Sequence, residues 1–186
     1  LQRAISQYNF YGSSLNLDLS QEVLEIGAGW GVSPRYLHKQ GFDKIHIIEP
    51  DARVDHILSK GIRKLSSVAK APDNFFSLVV MSHVLEHIFN VQNFLHELIV
   101  KIKKSSIVFV EVPNCENPQV LLQSSESYHY WFFTKKTLID LFKSQGFDPV
   151  QVETYGKDKF SKNKAALKHS NIICKYESSD DEAYWI

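Results

Sequence analysis

The sequence predicts an α/β fold in which a mostly parallel sheet is covered by helices on both faces. Three observations carry this expectation. Val23-Leu-Glu-Ile-Gly-Ala-Gly-Trp-Gly31 is an apolar strand that runs into a glycine-rich turn, and residues 32–40 behind it read as a helix. A second apolar strand follows at the spacing of a βαβ unit, whose crossover is right-handed and whose sheet is parallel. Phe75-Phe-Ser-Leu-Val-Val-Met-Ser82 is a continuous apolar run, the pattern of a strand buried on both faces. With 186 residues, 44% hydrophobic and 12% aromatic, the chain suits one domain with a sizeable core.

The elements follow in order. Residues 1–19 mix aromatic and polar side chains, with Tyr8, Phe10 and Tyr11 spaced to pack, and are expected to form a helix and loop covering a ligand cleft. After the glycine turn, residues 44–49 are the second strand, and Asp51 can cap a helix running to residue 59. Residues 62–66 are a weak third strand, 71–74 a turn, and 75–82 the central strand. Residues 91–103 carry apolar side chains at helical spacing and end in lysines, which suit a helix C-terminus. Residues 106–113 are the fifth strand, ended by Pro113. Residues 115–130 show no clear period and read as a long loop, of the kind that carries function. A helix over 133–145 stops at Gly146, and a β-branched strand spans 148–155. A lysine-rich mobile loop over 156–169, a last edge strand over 171–176 and a solvated acidic tail over 177–186 complete the expectation.

Composition excludes several classes. The formal net charge is zero, so no basic field points to nucleic acid or to an anionic membrane. No apolar run reaches the roughly 18 residues of a membrane span, and no charged and apolar leader opens the chain. Cys115 and Cys174 lie far apart, which fits a reducing compartment. A cytoplasmic protein is the expectation.

The glycine turn is the candidate ligand site. It leaves no room for side chains over Gly27, Gly29 and Gly31, so a cofactor can approach bare backbone at the start of a helix. The dinucleotide fingerprint G-x-G-x-x-G would place its third glycine at Val32, and a β-branched residue there hinders helix–strand packing. The actual pattern is E-x-G-x-G-x-G with Glu25 inside the strand. It resembles the first motif of the class I S-adenosylmethionine (SAM) dependent methyltransferases. From Val23 to about Phe147 the order and spacing of motifs resemble the ubiquinone-biosynthesis-like branch of that family.

The resemblance implies a Rossmann-like, doubly wound, mostly parallel sheet of seven strands with one reversed strand near the C-terminus. It implies that Gly27, Ala28 and Gly29 lie against the methionine part of SAM, with Glu25 supporting the turn and its ammonium. Glu49 would bind both ribose hydroxyls and Pro50 would flank the adenine. Ser82, His83 and Leu85 would close over the methionine moiety. Many relatives carry an acid after the third strand for the adenine amino group. None stands in Leu65-Ser-Ser-Val-Ala-Lys70, which leaves Ser67 or backbone; the Asp usual in the fourth strand is Ser77.

His83-Val-Leu-Glu86-His87 spells the H-x-x-E-H of inverted zinc proteases, but it follows a buried strand rather than lying on a groove helix. At helical spacing His83, Glu86 and His87 would share one face. Some O-methyltransferases of the resembled branch hold a divalent metal with Glu-x-x-Glu-His at this place. This chain matches in Glu86 and His87 and departs at His83. Val-Pro-Asn114 and His129-Tyr-Trp-Phe-Phe-Thr134 are similar to the same group, which implies His129 as a further ligand. A set of His83, Glu86, His87 and His129 would favour Zn, Mn or Fe over Mg. Without a metal, His87 and His129 are the candidate bases, since imidazole titrates near neutrality. The aromatic run 128–133 either packs the next helix or walls a cleft over the sulfonium. The expected activity is methyl transfer from SAM to a small-molecule or saccharide acceptor, with a hydroxyl oxygen as nucleophile. The rival is an inactive SAM-fold binding module or partner subunit.

Overall fold

The computed structural model describes residues 1–13, 17–156 and 167–176, and only the backbone of residues 13, 155–156 and 167–176. One seven-stranded sheet organises them, in the order β3-β2-β1-β4-β5-β7-β6. Its strands are β1 (Val23–Ile26), β2 (Ile45–Ile48), β3 (Ile62–Leu65), β4 (Phe76–Ser82), β5 (Ile102–Pro113), β6 (Phe147–Gly156) and β7 (Leu167–Tyr176). β1 to β5 pair in parallel, and β7 runs antiparallel to both β5 and β6. The helices are α1 (Gln2–Ser13), α2 (Val32–Lys39), α3 (Val91–Lys101), α4 (Pro118–Ser125) and α5 (Lys135–Ser144). Among the described residues no helix is long and apolar enough to cross a membrane.

The apolar run of β4 is buried on both faces because successive side chains point to opposite sides of a strand. Val79 and Met81 join Leu24, Ile26, Val108 and Val110 under α3 and α5. Leu78 and Val80 join Val23, Ile45, Ile47 and Phe109 under α1 and α2. α1 buries Ala4, Gln7, Phe10 and Tyr11, a single face at helical spacing. Tyr11 packs on Phe109 with ring centroids 5.1 Å apart, and Tyr8 meets Tyr36 of α2 edge-on at 5.7 Å.

Three expectations change. The unpatterned stretch after β5 contains α4, whose start is set by Asn117 accepting from the Gln119 amide, with Pro118 in the first turn. Its only buried side chains are Val120 and Ser124, too few for a visible apolar period. The last strand is not at the edge: β7 inserts between β5 and β6, leaving β6 outside. Pairing with β5 from Ser106↔Tyr176 to Pro113↔His169 satisfies the free side of that buried strand. The segment expected to be a helix to residue 59 is a 3-10 turn, Ala52–Ile57, although Asp51 does cap it through the Arg53 amide. The expected loop over 156–169 lies largely outside the described residues, as does the acidic tail.

Candidate active site

The turn after β1 is built from three left-handed glycines, Gly27, Gly29 and Gly31, with φ of 74°, 53° and 71°. They do not serve one purpose. A Cβ on Gly27 would lie 2.3 Å from Val84 Cγ2, and one on Gly31 2.4 Å from Ile57 Cδ1, so both are reserved for packing of the protein itself. A Cβ on Gly29 would meet nothing within 4 Å. Only there is the backbone bare, and there it faces open space.

Two carboxyl groups flank this opening. Glu49, just past β2, accepts from the Gly29 amide at 2.7 Å through one oxygen and from the Asp51 amide at 3.0 Å through the other. Each oxygen keeps a further lone pair for a hydroxyl donor. Glu25 is 4% exposed and accepts from Ser33 Oγ at 2.9 Å. Burial pushes its pKa from 4.5 to about 8, against the lowering effect of the Ser33 hydrogen bond.

α1 is tied to the carboxyl ends of β4 and β5. Gln7 donates to Ser82 Oγ at 2.9 Å and to Glu111 Oε2 at 2.7 Å, and Arg3 pairs with Glu111 Oε1 at 2.6 Å. Arg3 also lies against His83 Nε2. Glu111 is fully buried, and sequence reasoning missed it along with Arg3 and Gln7. A carboxylate inside the apolar run Val-Phe-Val-Glu-Val was the available signal, since a buried charge demands partners. Nothing local to residues 1–13 could have named those partners.

The stretch after β4 departs from a helix at its first residue. His83 has φ of 55°, and only Leu85–His87 forms a 3-10 turn. Helical spacing therefore does not govern His83. Its Nδ1 is 3.2 Å from Glu86 Oε1, and its Nε2 is 3.3 Å from Glu111 Oε1. Burial lowers the His83 pKa, but the hydrogen bonds with Glu111 and Glu86 outweigh it, and the net shift is upward.

Glu86, His87 and His129 instead form a trio in which one ligand atom from each lies within 4.8 Å of the others. Backbone pairing brings the two segments together: the Tyr130 amide donates to the Glu86 carbonyl at 2.8 Å. The imidazole rings of His87 and His129 meet edge-on with centroids 4.6 Å apart. His87 Nδ1 is 2.8 Å from the Tyr128 carbonyl. A carbonyl only accepts, so Nδ1 carries the proton and the neutral ring has its lone pair on Nε2. His129 Nδ1 and Glu86 Oε2 are buried without a hydrogen-bond partner, while Glu86 Oε1 has His83 Nδ1 at 3.2 Å. Burial lowers the His129 pKa, which keeps that ring neutral at pH 7. His83 and His129 also line a cleft of about 210 Å³ with Pro113, Val120, Gln123, Ser124 and Ser127.

A bare-backbone glycine turn at the carboxyl end of β1, with an acid after β2, lies where doubly wound sheets bind their ligands. The family model "Methyltransferase domain" matches residues 3–152, which covers most of the chain. The chain belongs to the methyltransferase domain family. A SAM-dependent methyltransferase from Archaeoglobus fulgidus has a similar structure, with a TM-score of 0.73 at 18% identity over 93% of this chain and 94% of that one. The Burkholderia thailandensis 1,6-didemethyltoxoflavin-N1-methyltransferase, solved with S-adenosylhomocysteine, gives 0.68 at 15% identity over 94% and 76%. The Haemonchus contortus phospholethanolamine N-methyltransferase 2, also with S-adenosylhomocysteine, gives 0.73 at 13% identity over 95% and 53%. No curated protein matches the sequence.

This methyltransferase domain takes SAM as its cofactor, and its residues fit that group. The space over Gly29 and the acceptor capacity of Glu49 are open to a hydroxylated ligand, whereas Glu25 is buried beneath the turn with its pKa pushed up to about 8. Of the other anticipated contacts, Pro50 is exposed next to Glu49. Ser67 makes no side-chain cap on the 3-10 turn it precedes. Ala28 is buried, and Ser82 is half-buried beneath Gln7. Leu85 is fully buried among core residues, so its side chain is not open to a ligand.

Proposed function

We propose that this methyltransferase transfers the SAM methyl group to a hydroxyl oxygen of a small-molecule or saccharide acceptor, with His87 as the base. The single observation that carries this reading is the His87 tautomer. The Tyr128 carbonyl holds the proton on Nδ1, so Nε2 presents a lone pair beside His129 at the carboxyl ends of the strands. A hydroxyl is a poor nucleophile until a base takes its proton, and imidazole is suited to that near neutral pH.

When bound, SAM supplies an electrophilic methyl on a sulfonium, and the carbon–sulfur electron pair stays with sulfur as the methyl leaves. The Gly29 backbone, Glu25, Ser82 and the backbone at Leu85 would hold its methionine part, with Gly27 packed against Val84 rather than open to the ligand. Glu49 would hold the ribose, and Pro50 with Ser67 the adenine. His83, fixed between Glu86 and Glu111, would border the methionine end. His87 Nε2 takes the acceptor proton as the new carbon–oxygen bond forms, and His129, kept neutral by burial, orients it from the side.

A second reading has its own observation. Glu86, His87 and His129 supply ligand atoms within 4.8 Å, and Glu86 Oε2 is buried without a hydrogen bond, which suits a borderline divalent metal. EDTA separates the two. Under the base reading turnover with a hydroxyl acceptor survives EDTA, while His87→Ala loses it. Under the metal reading EDTA abolishes turnover and Zn or Mn restores it.

Two of the similar structures are N-methyltransferases by name. NMR of the product therefore decides the acceptor atom, and a methyl on nitrogen would refute the hydroxyl assignment. The inactive-module rival predicts no activity. If SAM and S-adenosylhomocysteine also fail to raise the melting temperature, that rival gains; a ligand at 100 times its Kd adds about 2.7 kcal/mol to a folded state that binds it.

A further inference from the structure

Beside the His87–His129 pair lies an exposed aromatic surface. Phe89 is 76% exposed, Tyr130 58% and Trp131 39%. Exposed rings are costly to leave in water, and three of them here are held in place rather than scattered. The Trp131 indole Nε1 donates to the Ile88 carbonyl at 2.8 Å, and the Trp131 amide to the Glu86 carbonyl at 3.3 Å. Phe89 and Tyr130 stand edge to face, with centroids 5.3 Å apart and planes at 81°. The same pairing of segments that joins His87 to His129 therefore joins Phe89 to Tyr130. With Asn90, Val91 and Gln92 they enclose a cleft of about 500 Å³.

Size assigns the roles of the two clefts. The one lined by His83 and His129 is about 210 Å³, below the roughly 300 to 1,000 Å³ that encloses a small-molecule ligand. It suits the reacting end of an acceptor, and the acceptor body needs a second surface. The aromatic cleft falls inside that range. Its lining holds no Lys, Arg, His, Asp or Glu, only aromatic rings, an aliphatic side chain and two carboxamides. Such a wall offers no cationic partner, so a phosphorylated or carboxylated body would lose hydration without compensation. An uncharged ring with one apolar face and hydroxyls around its edge is complementary. The apolar face stacks on an aromatic ring, and the Gln92 carboxamide both donates to and accepts from hydroxyls.

We infer that the cleft formed by Phe89, Gln92, Tyr130 and Trp131 binds a neutral pyranose ring and holds the saccharide acceptor whose hydroxyl is presented to His87. This rests on the hydroxyl-methylation reading and names its substrate class. A flat phenol, which would stack without needing Gln92, is the competing occupant.

The test is saturation-transfer NMR on the full chain with SAH present, using methyl glycosides of glucose, mannose, galactose, rhamnose and N-acetylglucosamine, with catechol as the phenol. The expected result is saturation transfer to the CH protons of at least one glycoside. Phe89→Ala and Trp131→Ala should each reduce it at least tenfold, and Gln92→Ala should reduce it by less. SAH affinity by calorimetry reports that the variants are folded. Transfer to catechol alone, or glycoside binding that Phe89→Ala and Trp131→Ala leave intact, overturns the assignment. The two readings fail separately: glycoside bound in the cleft without methylation at oxygen sinks the O-methyl reading alone, whereas an O-methylated product lacking a sugar sinks the cleft assignment alone.

Discussion

Replacing Glu25 with Gln should remove a specific pH dependence of stability. Glu25 is buried in β1, and burial raises its pKa from 4.5 to about 8. The native chain therefore keeps this proton up to about pH 8, while the unfolded chain releases it near pH 4.5. Between those values the native state binds more protons than the unfolded state, so stability falls as pH rises, and above about pH 8 the slope vanishes. At about 1.4 kcal/mol for each tenfold change in proton affinity, the full window is worth about 3 to 5 kcal/mol. Glu25→Gln keeps an acceptor for the Ser33 hydroxyl, which donates to Glu25 at 2.9 Å, and carries no titrating group. Urea unfolding without SAM, at pH 5, 6.5 and 8.5, should show the native chain losing about 3 to 5 kcal/mol relative to Glu25→Gln across the series. His83, whose pKa is raised, contributes stability that is lost as pH rises through its folded pKa, but it does so in both proteins and cancels. Parallel stability curves for the two proteins would refute the argument that burial holds the Glu25 carboxyl protonated in β1.

Four further outcomes are expected. Gly27→Ala brings a Cβ within 2.3 Å of Val84 at positive φ and should destabilise the fold by about 1 to 3 kcal/mol, lowering Tm by several degrees in a melting scan. Gly29→Ala meets no protein atom, so its larger effect should be on SAM affinity by calorimetry; equal effects on both properties would contradict the division of labour between these glycines. Glu49→Ala should weaken SAM at least tenfold, since each charge-assisted hydrogen bond contributes about 1.5 to 3 kcal/mol, and it should leave the far-UV circular dichroism unchanged. Arg3→Ala leaves the buried Glu111 with fewer donors and should cost about 1 to 3 kcal/mol in urea unfolding, whereas Arg3→Ala with Glu111→Gln should recover part of that loss.

The sequence by itself determined the parallel sheet, which rests on local periodicity, and the glycine turn that ends β1, which rests on the spacing of three glycines. The alternation of β4 between two cores follows from one apolar run, while the roles expected of Glu25, Gly27, Gly29 and Glu49 came from the family resemblance of the first βαβ unit, not from its periodicity. Other features depended on pairings between distant segments, which no local pattern encodes. The chain order did not reveal that β7 sits between β6 and β5. It suggested that His83, Glu86 and His87 share a helical face, but the left-handed backbone at His83 turned that residue to Glu86 and Glu111, while His129 joined the other two through the backbone bond from Tyr130 to Glu86. Glu111 was visible as a charge in an apolar strand, but Arg3 and Gln7, which lie more than a hundred residues away, became its partners only because α1 folds back on the carboxyl ends of β4 and β5. A buried carboxylate must find donors wherever the packed chain brings them, and that placement is a property of the tertiary structure.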